Sequence, residues 1–349
     1  ADTRTVVTIA SQLDAALVTR IAAVDDRLQV RHEPELLRPP PARGAPGGSA
    51  SLSCTAEQQQ RWRAMLAETE VLFGIPHDSA EGLAEAIRSS SRLRWIQATA
   101  GGAGQLLVDA ALTEQELRRV QVTRAGGVPA GPLAEFAMFG LLAFTQGLPR
   151  LLADQKARRW EPHPVAALAG GTVLVVGLGA LGAQVARLAK AFGMRVIAVN
   201  RTGRTDSPDV DEIRTPRFLG DLLPVAHGVV VTVPLTDQTR GMIGATAIDR
   251  MHSGAVLVAV GRGGVVDEAA LVQALRQGRL AGAALDVFAE DPLPVDSPLW
   301  DLPNVLLSPH SAELSQQQTE RIVAVFTENL RRYLAGDELL GPIEPARLP

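Results

Sequence analysis

Cysteine is all but missing from this chain: Cys54 is the only one in 349 residues. One thiol excludes a disulfide framework. Cys54 stands in a Ser-rich stretch with no base close in sequence, so it is read as incidental. An excess of charge is missing too. Lys and Arg number 34 against 38 Asp and Glu, a formal −4. Without a dense basic patch, nucleic acid is not an expected partner. No uninterrupted apolar run is long enough to span a bilayer. The start, ADTRTVVTIA, lacks the basic and apolar regions of a signal peptide. A cytoplasmic protein without membrane contact is the expectation. Apolar residues make up 46% of the chain, enough for ordinary cores, and the length suits two domains.

The most telling segment is VLVVGLGALGAQVARLAKAFGMRVIAVNRTG, residues 173–203. An apolar run ends at Gly177, and Gly177, Gly179 and Gly182 form G-x-G-x-x-G. A helical pattern and a second apolar strand follow. That order is the first half of a dinucleotide-binding βαβ unit. The first glycine permits a tight turn, the second leaves room for a pyrophosphate, and the third lets helix and strand pack closely. The phosphates are expected over the unpaired N–H groups of the helix N-terminus, at Ala180 and Leu181. A bare glycine triplet is weak; the flanking strand, helix and strand make it specific.

At the end of the second strand a carboxylate is also missing. NAD-specific sites commonly place Asp or Glu there, on the ribose 2′-hydroxyl. This chain has Asn200, Arg201, Thr202 and Arg204. Two guanidinium groups can grip a 2′-phosphate, with Asn200 and Thr202 adding neutral hydrogen bonds. The alternative is a solvated basic loop. NADP is therefore expected as the preferred cofactor, with NAD possible.

The first hundred residues alternate strand and helix: strands at 6–9, 28–30, 71–74 and 93–97, helices at 13–23, 56–70 and 80–89. Residues 39–53, PPPARGAPGGSASLS, are too rich in Pro and Gly for a regular element and read as a loop. The pattern fits a small parallel α/β domain. ATAGGAG, residues 98–104, follows a strand, where open α/β sheets bind ligands. It is either an anion-binding loop using Gly101 and Gly102 or a flexible turn. Residues 132–144 form an apolar helix with Glu135 as its one charge, buried under a sheet or between subunits. Further strands fall at 228–233, 255–260, 283–287 and 305–307. A terminal helix at 316–334 is expected to pack back on the first domain. The nucleotide domain thus looks inserted. The expected division is 1–104 and 308–349 for the substrate domain and 105–307 for the dinucleotide domain.

Arg262, Asp291 and His310 lie at or just beyond strand ends. Each alone has an ordinary reading as a turn cap, a loop acid or a backbone-satisfying histidine. Together, beside a dinucleotide site, they fit one reaction. A carbonyl receiving hydride needs a proton, which histidine can supply. A carboxylate beside the imidazole fixes its tautomer and favours its charged form. An arginine holds a substrate carboxylate and polarises the neighbouring carbonyl.

Residues 173–193, PLTDQTRGM (234–242), GRGGVVDE (261–268), ALDVFAEDPL (284–293) and PLWDLPNVLLSPHSA (298–312) resemble the D-isomer-specific 2-hydroxyacid dehydrogenases, with RWIQATAGGAG (94–104) a looser match. The resemblance covers nearly the whole chain. It implies two Rossmann-like domains with parallel sheets, the nucleotide-binding one inserted in a smaller flavodoxin-like substrate domain, a cleft between them and a homodimer. It implies His310 as acid/base, Asp291 as its partner and Arg262 as substrate anchor. Asp286 matches the residue near the nicotinamide carboxamide. Gly101, Gly102 and Ala103 match the backbone that holds the substrate carboxylate. Val233, Pro234, Thr239, Val260 and Gly261 complete the expected cofactor set, which Arg262 and His310 also touch; no metal is expected.

Five positions depart from the family pattern. Asp291 replaces the usual Glu and, one methylene shorter, needs a closer backbone or a bridging water to reach His310. Ala259 replaces Asn, Gly104 an acidic residue, His227 Asp, and Phe136 a histidine. The expected function is an NADP-preferring reductase of small 2-keto acids such as glyoxylate or hydroxypyruvate. Oxidation of 3-phosphoglycerate, formate or phosphite is less favoured. AGGAG offers no basic residue for a phosphate, the short run after the terminal helix leaves no room for an added regulatory domain, and formate oxidation has no use for a proton-donating histidine in that role. The alternative of another class is an NAD(P)-binding redox sensor or corepressor-like protein with little turnover.

Overall fold

The computed structural model describes residues 4–37, 55–99, 103–125, 127–128, 130–314 and 317–343. The chain divides into two compact units, one of Ala1–Val128 with Gln316–Pro349 and one of Pro129–Ser315. Cys54, the whole Pro/Gly-rich segment 39–53, and Gly101 and Gly102 lie outside the described residues.

The first unit holds five parallel strands: β1 Thr5–Ile9, β2 Leu28–Arg31, β3 Val71–Phe73, β4 Trp95–Ala98 and β5 Gln121–Arg124. Their order is β2-β1-β3-β4-β5, the flavodoxin-like arrangement. Side chains alternate between faces. Leu72 and Ile96 join Trp62, Leu66, Leu83 and Ile87 on one side. Val7, Ile9, Val71, Phe73 and Trp95 meet Ile322, Val323, Phe326 and Leu330 of the terminal helix Gln318–Ala335 on the other. Phe326 packs edge-on to Phe73 at 4.8 Å and 5.1 Å from Trp95. Tyr333 stacks on Trp95 and donates to Glu70 Oε1 at 2.8 Å. Burial, and then this hydrogen bond, push its hydroxyl pKa upward. The terminal helix is thus part of the first core.

The division falls at 128/129 and 315/316, not at the expected 104/105 and 307/308. β5 explains the first difference. It pairs along β4, Trp95 with Gln121 through Ala98 with Arg124, so the sheet is incomplete without it. The helices Ala103–Asp109 and Glu114–Arg119 are its connection. At the second crossing the turn carrying His310 stays hydrogen-bonded to the second unit, as described below.

The second unit holds seven parallel strands: β6 Thr172–Val176, β7 Arg195–Val199, β8 Glu212–Arg214, β9 Gly228–Val231, β10 Val256–Ala259, β11 Gly282–Leu285 and β12 Val305–Leu307. Their order is β12-β11-β10-β9-β6-β7-β8, a Rossmann sheet extended by one strand. One face buries Leu174, Val176, Val229 and Leu257. The other buries Val173, Val175, Val256, Val258 and Ala284 beneath Ala134, Ala137, Met138 and Leu141 of the helix Ala130–Thr145. That helix therefore lies on the sheet, while Glu135 is exposed. At the opposite, amino-terminal edge of the strands, His227 Nδ1 accepts from the Thr172 N–H at 3.1 Å. No single helix among the described residues is long and apolar enough to cross a membrane.

Helix and sheet meet closely at Gly140, where an added Cβ would stand 2.5 Å from Ala284 Cβ. Gly140→Val is expected to destabilise the second unit by about 1–3 kcal/mol through overpacking. A lower midpoint of thermal unfolding, followed by circular dichroism, is the check; an unchanged midpoint would show that the helix shifts without cost.

Candidate functional site

Parallel pairing sends the carboxyl ends of β6, β7, β9, β10, β11 and β12 to one edge of the second sheet. β6 sits between β7 and β9, where the strand order reverses, and such a switch point opens a ligand crevice. The glycine motif leaves β6 there. Gly177 has φ +106, a conformation L side chains avoid, and a Cβ would meet Val233 Cγ1 at 2.7 Å. A Cβ on Gly182 would collide with the Gly177 carbonyl oxygen. Around Gly179 there is open space, and no side chain caps the helix Ala180–Ala191. Its first amides are left to an outside acceptor, which suits a pyrophosphate. The residues present therefore fit a dinucleotide.

In the 200–204 loop, the side chains of Asn200 and Thr202 make hydrogen bonds within the loop. Asn200 Oδ1 accepts from the N–H groups of Thr202 and Gly203 at 3.1 and 2.7 Å and from Thr202 Oγ1 at 3.2 Å. Asn200 Nδ2 donates to Arg204 O at 2.9 Å. Arg201 and Arg204 are exposed, and neither guanidinium has a partner among the described residues. Thr239 is similarly used: its hydroxyl donates to Pro234 O at 2.6 Å and accepts from Thr236 N–H at 2.8 Å, fixing the turn after β9. Val260 is buried in the core, so only its backbone faces the turn that carries Arg262.

The catalytic candidates stand on three neighbouring strand ends. Arg262 follows β10, Asp286 and Asp291 follow β11, and His310 follows β12. A Cβ on Gly263 would strike Phe288 O, so the Arg262 turn lies against the turn that leads to Asp291. Arg262 is exposed; its one described hydrogen bond goes to Gly261 O at 2.9 Å, leaving the other N–H groups available. His310 Nδ1 lies 2.5 Å from Asp291 Oδ2. The shorter carboxylate thus reaches the imidazole directly, with no water between. Both side chains are partly exposed, 32% for His310 and 39% for Asp291.

Asp286 does more than the sequence suggested. It is 1% exposed, and its Oδ1 accepts from Ser308 Oγ at 2.6 Å and from the N–H groups of Ser311 and Ala312 at 2.9 Å each. These bonds clamp the turn that carries His310. Within it the His310 N–H donates to Ser308 O at 2.9 Å, and His310 takes φ +50. Histidine tolerates that region better than most residues, but the conformation persists only where surroundings impose it. The clamp also explains why the chain stays with the second unit beyond residue 307. A signal was present in the sequence: a carboxylate closing an apolar strand, ALDVF, must find donors when buried.

Known proteins can now be set beside this geometry. Residues 138–312 match the model of the D-isomer specific 2-hydroxyacid dehydrogenase, NAD binding domain. The chain is 36% identical over 263 residues to a glyoxylate reductase of Korarchaeum cryptofilum, covering 73% of this chain and 77% of that one. It is 32% identical over 255 residues to a D-3-phosphoglycerate dehydrogenase of Methanocaldococcus jannaschii, covering 72% of this chain but 48% of that one. Among solved structures, a D-isomer specific 2-hydroxyacid dehydrogenase from Xanthobacter autotrophicus Py2 in complex with NADPH and MES is similar with a TM-score of 0.75 at 29% identity, over 99% of each chain. A fold of this order, carrying sequence identity of this extent across both units, has one reading: the chain belongs to the D-isomer specific 2-hydroxyacid dehydrogenase family.

Proposed function

We propose that the chain is an NADP-preferring 2-keto acid reductase, reversible toward D-2-hydroxy acids, acting on small substrates such as glyoxylate or hydroxypyruvate. The observation that carries this reading is the direct contact between His310 Nδ1 and Asp291 Oδ2. Engagement of Nδ1 leaves Nε2 as the nitrogen that faces the reaction. A nicotinamide held over the glycine turn would supply the hydride exchanged with the keto carbon. His310 Nε2 gives a proton to the carbonyl oxygen in reduction and removes it in oxidation. Asp291 orients the ring and balances its charge while the proton is held. Asp286 keeps the His310 turn in place, a task distinct from the contact with the nicotinamide carboxamide that resemblance implies. Arg262, unpaired apart from its own turn, binds the substrate carboxylate and stabilises charge on the carbonyl oxygen.

A carboxylate set directly on the histidine supports catalysis over a binding protein with little turnover. The small-substrate reading draws on the glyoxylate reductase likeness and on ATAGGAG, which has no cation for a substrate phosphate. Arg201 and Arg204, with no carboxylate at residue 200, support NADP. Homodimer formation is supported by one stretch of the second unit that exposes Phe139, Leu151, Leu152, Trp160 and Val165, with Trp160 95% exposed. An apolar run of this kind is more often an interface than bare surface.

Steady-state kinetics with glyoxylate and hydroxypyruvate test the whole reading. kcat/KM is expected to be higher with NADPH than with NADH, and a clear preference for NADH would overturn the cofactor assignment. His310→Ala is expected to lower kcat by about 10²–10⁴-fold while NADPH affinity stays near wild type. A mutant with near-full kcat would remove His310 from the proton-transfer role. For Arg262→Ala, KM should rise and kcat fall together, with a combined loss of about 10²–10³-fold or more in kcat/KM; an unchanged KM for every 2-keto acid would contradict the anchor role. Asp286→Ala leaves three donors without their acceptor and is expected to cost about 1–3 kcal/mol or more in stability, along with a lower kcat. Asp286→Asn keeps an acceptor oxygen and should retain more of both. Equal behaviour of the Ala and Asn variants in unfolding and turnover would mean that the clamp is not what Asp286 provides.

A further inference from the structure

The loop after β7 holds an arrangement that residue types alone do not reveal, and its meaning rests on the NADP reading above. We propose that Asn200 is a positioning residue for cofactor specificity. Its carboxamide shapes residues 200–204 so that a ribose 2′-phosphate is met by the guanidinium groups of Arg201 and Arg204.

The hydrogen bonds engage the backbone N–H of Asn200 and both polar atoms of its side chain. Its backbone N–H donates to Arg214 O at 3.1 Å, tying the loop to β8. Its Oδ1 gathers the Thr202 N–H, the Gly203 N–H and the Thr202 hydroxyl. Its Nδ2 holds the Arg204 carbonyl. The Arg204 N–H is taken in turn by Thr202 Oγ1 at 3.3 Å. The N–H groups of Thr202, Gly203 and Arg204, of the kind that form anion-binding nests in turns, therefore point inward, at Asn200 and Thr202. Gly203 completes the turn with φ +64, and a Cβ there would press on Thr215 Cγ2 at 3.0 Å. What the loop turns outward is the pair of unpartnered guanidinium groups.

This gives asparagine at 200 a task that neither aspartate nor alanine could perform. Aspartate could accept the same two N–H groups but could not donate to Arg204 O, and it would set a negative charge beside the phosphate. Alanine would leave the loop unclamped. The choice of residue thus removes a repulsive charge and builds the turn that presents the attractive ones.

Calorimetric titration with 2′,5′-ADP and 5′-ADP tests this without turnover. The proteins compared are wild type, Asn200→Ala, Arg201→Ala/Arg204→Ala and the triple variant. Wild type is expected to bind 2′,5′-ADP more tightly than 5′-ADP; equal binding would sink the NADP reading before any substitution is considered. Given that preference, Asn200→Ala is expected to reduce it about ten-fold, within the range of coupled neighbouring interactions. Its affinity for 5′-ADP and its thermal midpoint should stay near wild type. In the background lacking both arginines, the same substitution should have no further effect on the preference. An Asn200→Ala protein with the wild-type preference would overturn the proposal. So would an equal loss with and without the arginines, because Asn200 would then be a direct phosphate ligand.

Discussion

Parallel strand pairing is the constraint from which the rest of the second unit follows. Because every neighbour in the order β12-β11-β10-β9-β6-β7-β8 runs the same way, all the turns that leave the carboxyl ends share one edge. The glycine turn, the basic loop, Arg262, the Asp286–Asp291 segment and His310 are far apart in sequence and yet fall along it. Such pairing demands strands buried on both faces. The apolar runs LVV, VIAV, VVV and LVA meet that demand, and their lack of polar side chains leaves the chemistry to the loops.

The edge is then ordered by side chains that hold backbone. Asp286, Asn200 and Thr239 each spend their polar atoms on neighbouring peptide groups. Arg262, bonded only within its own turn, and His310, with one ring nitrogen left open, are the groups proposed to meet the substrate. That separation matters energetically. A group already satisfied by its own turn gains little from a ligand, whereas an exposed donor held by a rigid turn loses little entropy when one arrives.

Strand cores and glycine motifs were legible because they rest on local rules. The helix Ala80–Ser89 has the bounds its pattern implies, as does β12. β5 and β8 were not legible. QVTR and EIR are short and half polar, as edge strands are, and only pairing with a distant neighbour makes them strands. Missing β5 is what placed the first division too early. The roles of Asn200 and Asp286 were hidden for a different reason. Residue type says that a carboxamide or carboxylate can bind, but not whether a peptide group claims it first. N-R-T-G was the available hint, since asparagine commonly accepts from the backbone two residues on. Asp291 was read as a partner for His310, but its reach depended on where two loops lie, which no spacing in sequence fixes.

The first unit is assembled from the two ends of the chain, and this shapes how the molecule must come into being. A polypeptide emerging from its N-terminus makes β1 to β5 long before the helix Gln318–Ala335 exists. Until that helix arrives, Val7, Ile9, Val71, Phe73 and Trp95 present an apolar sheet face covered only in part, by Leu17, Val18 and Ile21 of the helix Ala15–Ala22. The nascent first unit is thus a sticky intermediate whose lifetime is set by synthesis of the intervening residues, at about 5–20 residues per second. Trp95 gains Phe326 and Tyr333 as neighbours only when that helix packs.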